Sequence, residues 1–228
     1  MNAELGRAAA AEKPSMWGML VEPGKQMERI RQQPRFVGAL ITIMLLSAVV
    51  AYLAGLKMAE HPLYQEQLAV MGENGATIMA GTIAVTTLFV IPLLFLLYSL
   101  VQWLLMMLFQ GEATFGQLYS MNTYLGIFPL LANVVYVAVL WTAGPGDNPE
   151  SLPTSLGALI SAKGALSGIL NGIEVFSLWN LAVSALGLSV IGQVSRGKGW
   201  AVALILYAAG LALAAVTAAV GETFGPPQ

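Results

Sequence analysis

The chain contains no cysteine and a single histidine. Without cysteine there can be no disulfide, no thiolate chemistry and no Cys-based zinc or iron–sulfur site. His61 stands alone, so a histidine metal site or a catalytic triad would have no second imidazole to draw on. Charge is also scarce. Charged residues make up 10% of the 228 positions, against about 25% in an ordinary soluble domain. So few charges cannot cover the surface of a water-soluble globule of this size, which excludes a soluble enzyme. The net charge of −2 supplies no basic field to offset phosphates, which argues against a nucleic-acid partner.

Hydrophobic residues are abundant: 57% of the chain, with a mean hydropathy of +0.73. That is far too apolar for intrinsic disorder and points to an integral membrane protein. Barrel-type strands of alternating polarity are not seen, and lipid cannot satisfy an open backbone, so the crossings are expected to be helical. The expected fold is an all-α, polytopic transmembrane bundle.

Gaps between charges mark the crossings. Spans are expected near residues 36–56, 78–109, 118–141, 174–195 and 199–220, each long enough to cross at about 1.5 Å per residue. Segment 153–171 is ambiguous. It is moderately apolar, but Lys163 sits at its centre among glycines and serines. A central Lys costs roughly 2.5–3.5 kcal/mol on insertion scales, so the segment is read as interfacial, re-entrant or an extension of the fourth helix. Counting it as a sixth crossing is the competing topology.

Eight of the ten cations lie before the first span or in the turn between the last two: Arg7, Lys13, Lys25, Arg29, Arg31, Arg35, Arg196 and Lys198. Five spans with a cytoplasmic N-terminus put all eight inside, as the positive-inside rule requires. No cleaved signal peptide is expected, because the first apolar run lies behind a long charged approach. The organisation is then a flexible stretch at 1–13, an amphipathic cytoplasmic segment at 14–35, the membrane domain at 36–221 and a short tail at 222–228. In the amphipathic segment Pro23 suits a helix start, and Met27 and Ile30 share a face beside Lys25, Glu28, Arg29 and Arg31. With Trp17 it is expected to lie on the leaflet, as an anchor or as a partner surface formed by Trp17, Met27, Arg29, Ile30 and Arg31.

Polar groups inside a membrane are the default functional candidates. They are Gln102, Asn122, Asn133 and Asn180 within spans, and Glu112 and Glu174 at span ends. Glu174 opens the fourth helix, where an acid suits the helix dipole at the outer interface; proton or cation coordination is the alternative. Pro92 and Pro129 each remove an amide donor in mid-span, so kinks are expected there. A small-residue ridge at Gly210, Ala214 and Ala218 permits close packing, within the bundle or in a homo-oligomer.

Enzymatic motifs fail. There is no HExxH and no GxSxG. The run from Gly192 to Gly199 has P-loop spacing, but Gly199 replaces the magnesium-binding hydroxyl and a span precedes it, so it is read as a tight turn. No catalytic residue, cofactor or metal is expected.

Three stretches carry a family likeness. One is the proline-punctuated approach from Met16-Trp17 to Pro34-Arg35-Phe36. Another is Gly111-Glu-Ala-Thr-Phe115 followed by Asn122-Thr-Tyr124 and Pro129. The last is Glu174-Val-Phe176-Ser-Leu-Trp179-Asn180 leading to Gly187-Leu188. In order and spacing the chain resembles the Yip-domain family, membrane proteins named for interaction with Ypt/Rab GTPases in eukaryotes. The resemblance implies a five-helix bundle with a cytoplasmic N-terminus and no catalytic activity. The short N-terminal region is similar to the prokaryotic branch, some members of which accompany ABC-type exporters, so a Rab partner is not carried over. The expected role is an accessory or scaffold subunit in the bacterial inner membrane, in contact with lipid and a protein partner. A small transporter or channel using the polar residues at kinked helices is the alternative.

Overall fold

The computed structural model describes residues 12–145 and 151–224. Most of the stretch expected to fray at 1–13, and the end of the tail at 222–228, fall outside them. Ten α-helices are formed among the described residues: α1 (Met16–Val21), α2 (Pro23–Gln32), α3 (Val37–Met58), α4 (Pro62–Met71), α5 (Gly75–Leu108), α6 (Phe115–Leu125), α7 (Ile127–Ala143), α8 (Gly164–Gly172), α9 (Val175–Ile191) and α10 (Arg196–Phe224). No strand is present among the described residues; one antiparallel bridge pairs Ser155 with Glu174.

Four of these units are long and apolar enough to cross a membrane: α3, α5, α6 and α7 taken together, and α10. The fifth apolar helix, α9, has 17 residues and is too short for that class. Large apolar side chains such as Leu45, Val49, Phe89, Leu108 and Leu213 face outward, as a lipid-facing surface requires. The buried core lies where α2, α6 and α9 meet, around Met27, Leu118, Met121 and Leu188.

The prolines act differently. Pro129 ends α6 and starts α7 around Gly126, because its ring clashes with the carbonyl four residues back and its missing N–H leaves that carbonyl unpaired. Gly126 fits this point: a Cβ there would lie 2.7 Å from Phe95 and 3.2 Å from Ile43. Helix α5, by contrast, runs unbroken through Pro92 for 34 residues.

Helices α8 and α9 lie end to end along α10. Gly164 faces Glu222, Gly168 faces Ala214, Gly172 faces Leu211, and Ser189 faces Gly199. Segment 153–171 therefore enters α8 and continues toward α9. The ridge residue Ala214 packs against α8, and a Cβ at Gly168 would collide with its carbonyl. This close approach explains the glycines that made the segment look loop-like.

The amphipathic approach folds onto the bundle. Met19, Met27 and Ile30 have no solvent exposure and belong to the main core. A Cβ at Gly187 would lie 2.8 Å from Met27 Sδ. The Gln117 amide donates to the Arg31 carbonyl at 2.7 Å, tying α2 to α6. Gly168→Leu is expected to cost about 1–3 kcal/mol of stability by overpacking. Gly81→Ala, where nothing lies within 4 Å of a Cβ, should be neutral or slightly stabilising; thermal unfolding of the two variants in detergent checks the contrast.

Candidate functional site

The break between α8 and α9 sits opposite Tyr207 and Leu211, half-way along α10. Two helix ends at that depth expose backbone donors and acceptors that the protein itself must satisfy. It does so closely. Glu174 is the N-cap of α9 and is 4% exposed. Its carboxylate accepts from the Phe176 amide at 2.9 Å, the Ser177 amide at 2.8 Å and the Thr154 hydroxyl at 2.6 Å. The Ser177 side chain completes a capping box by accepting from the Glu174 amide at 3.2 Å. On the α8 side, the Gly172 carbonyl accepts from the Tyr207 hydroxyl at 3.1 Å and the Ser177 hydroxyl at 3.0 Å. The incoming strand-like turn seals the rest: Leu156 donates to the Ile173 carbonyl and Val175 to the Thr154 carbonyl.

Glu174 opens the helix, as expected, and does so opposite the middle of α10. The helix it opens ends at Ile191, short of residue 195. Thr154 and Tyr207, the partners of the break, were not among the candidate residues. The only signal was the polar content of the ambiguous segment.

Two cavities adjoin here. The larger, about 670 Å³, is lined by α5, α6, α7, the end of α8, α9 and α10; the smaller is about 200 Å³. Pro129, Gly172 and Asn180 belong to both walls. Asn122 lines the large one, and Asn133 and Glu174 the small one. Five of the candidate residues, Asn122, Pro129, Asn133, Glu174 and Asn180, are thus brought together. Gln102 joins through Asn122, whose amide donates to Gln102 Oε1 and to Ser99 Oγ, both at 2.7 Å. Asn133 donates to the Pro129 carbonyl at 2.8 Å, a bond within its own helix. Asn180 Oδ1 is buried and accepts no hydrogen bond among the described residues.

Pro92 and Glu112 stand apart. Glu112 lies at the bundle end that also holds α2, where its Oε2 accepts from Gln193 at 2.6 Å and its amide donates to the Gly192 carbonyl. Lys198 donates to the Phe109 carbonyl at 3.0 Å, so the Gly192–Gly199 run is a tight turn locked against the loop after α5. At the same end Trp17 is 69% exposed, whereas Met27 and Ile30 are buried and unavailable to a partner. Arg29 is paired with Glu12 and donates to Gln26. Arg31 bonds Glu28, and this hydrogen bond holds the Glu28 carboxyl below its ordinary range. The contact persists above that lowered value and is lost as pH falls through it. Among the described residues no group of three or more His, Asp or Glu is placed to hold a metal.

The family model of the Yip1 domain matches residues 17–218. The chain belongs to the Yip1 domain family. It is 32% identical over 218 residues to "Membrane protein YknW" of Bacillus subtilis (strain 168), with 90% of each chain covered. No solved structure matches it. In this Yip1-domain protein the run that carried the likeness has a clear physical use: Glu174 caps the half-helix, Trp179 packs on Phe128 with ring centroids 5.4 Å apart, and Asn180 reaches the cavities. Together with the apolar helices, the match makes the chain an integral membrane protein.

Glu174→Ala leaves three donors without an acceptor and is expected to cost about 2–4 kcal/mol, with Glu174→Gln milder because one acceptor oxygen remains. Asn122→Leu should cost about 1–2 kcal/mol through the orphaned Ser99 and Gln102 groups. Thermal unfolding of the detergent-purified variants reads both.

Proposed function

We propose that this Yip1-domain protein is a non-enzymatic accessory subunit of a membrane complex of the exporter or membrane-trafficking kind. It crosses the bacterial inner membrane five times, the broken α8–α9 unit counting as one crossing, with its N-terminus in the cytoplasm. One observation carries the reading. Three of the candidate polar residues within the bundle are taken up by the structure: Asn122 by Ser99 and Gln102, Asn133 by its own helix, Glu174 by the helix break. Of the candidates, only Asn180 Oδ1 and Gln102 Nε2 are buried without a hydrogen-bond partner among the described residues. Such an interior favours a rigid assembly part over a polar conduction path.

The contact surface is the charged end of the bundle. There α1 and α2, the loop at 109–114 and the turn at 192–195 pack together and present Trp17 and Val21, 69% and 68% exposed, among the cations. The orientation places Lys25, Arg29, Arg31, Arg35, Arg196 and Lys198 in the cytoplasm and leaves Lys57, beside Glu60 and over the Trp141 ring, at the outer side.

Transport is the second reading, favoured by the convergence of Asn122, Asn133, Glu174 and Asn180 on adjoining cavities. Flux through reconstituted vesicles separates the two: the accessory reading expects none that Glu174→Gln alters. A photo-crosslinker at position 17 in native membranes should capture a stoichiometric protein partner. Because the chain lacks cysteine, single reporters are clean. Lys25→Cys and Lys198→Cys should label only from the cytoplasmic face, Glu60→Cys and Lys163→Cys only from the other. A cytoplasmic Gln228 would refute the odd number of crossings.

A further inference from the structure

We infer that the larger cavity is a binding site for a single-chain amphiphile with an uncharged hydroxyl head, of the monoacylglycerol class, which enters sideways from the bilayer. This goes beyond the accessory role and stands independently of it.

The mouth identifies the source. Leu94, Leu97 and Val101 of α5 and Leu213 of α10 line the cavity and are also exposed on the outer surface of the bundle. A cavity whose rim is the lipid-facing surface exchanges with the hydrocarbon phase and not with water. Its volume, about 670 Å³, lies within the usual range for small-molecule sites, and its walls are mostly apolar, as a hydrocarbon chain requires. Gly210 keeps the α10 wall open, since nothing lies within 4 Å of where its Cβ would be.

The inner end identifies the head. Asn180 belongs to both cavities, and its buried Oδ1 accepts no hydrogen bond among the described residues. A shielded acceptor is costly until a donor reaches it, so the occupant must bring an O–H or N–H. The smaller chamber beyond, about 200 Å³, includes the Glu174 carboxylate in its wall. A buried carboxylate repels a phosphate or carboxylate head, which leaves a neutral donor. A glycerol head meets both conditions: it donates, and its size suits the smaller chamber, in whose largely apolar wall Asn133, Asn171 and Ser177 supply the polar groups.

The test uses the full chain in phosphatidylcholine nanodiscs and a photoreactive monoolein analogue. Saturable labelling is expected on the α5 and α10 residues of the cavity wall. Excess monoolein should compete it away and dioleoyl phosphatidylglycerol should not. Asn180→Leu should weaken the competition constant about tenfold, the effect of one lost buried hydrogen bond. Gly210→Leu, which fills the groove without touching the helix break, should abolish specific labelling while the thermal unfolding midpoint is kept. Labelling spread evenly around the bundle, or unchanged in Gly210→Leu, would overturn the site. Equal competition by phosphatidylglycerol would overturn the neutral head.

Discussion

Inside a bilayer, a helix can stop only where protein atoms replace the hydrogen bonds it gives up. The α8–α9 break puts that constraint in the middle of this bundle. The two residues between α8 and α9, with the helix ends beside them, would leave several polar groups facing hydrocarbon, each at a cost of several kcal/mol. Glu174, Thr154, Ser177 and Tyr207 remove that cost together, from the chain before the break, the helix after it and the helix alongside. The glycines of α8 follow from the same need. Gly168 and Gly172 let α10 come close enough for Tyr207 to reach the Gly172 carbonyl.

Much of this was legible in the sequence, where it depended on charge and hydropathy. The gap between Glu73 and Glu112 encloses α5, and the gap between Arg35 and Lys57 holds all of α3 but its last two residues. Pro129 marked a real interruption because it lies where α6 and α7 separate. Pro92 did not interrupt α5. The local signal is the same for both prolines, and the difference lies in the surroundings: Gly126, three residues before Pro129, allows Phe95 and Ile43 to press against the backbone.

The helix start at Glu174 was legible, but the pairing that holds the break before it was not. Hydropathy averages over a window, and an acid flanked by Val175 and Phe176 reads as the edge of a span. Only the pairing of Leu156 and Thr154 with residues 173 and 175 shows that the chain continues as helix on both sides, and that contact spans about twenty positions of glycine- and serine-rich sequence. The face of Met27 and Ile30 was read correctly as apolar, but periodicity cannot say whether such a face meets lipid or protein. The sulfur of Met27 against Gly187 decides it.

The seating of α2 has a mechanical side. In sequence, residues 16–35 lead directly into α3, yet α2 rests chiefly on α9 and on α6, through Met27 at Gly187 and Gln117 at Arg31. The link to α3 is the four-residue connector at 33–36, which joins the helix hydrogen-bond ladders only at its two ends, Gln33 and Phe36. A load applied to α1 and α2 therefore travels past the helix they precede. It arrives on α6 and on α9, the helix that follows the interior break, so the front end of the chain is a lever whose fulcrum lies between those two helices.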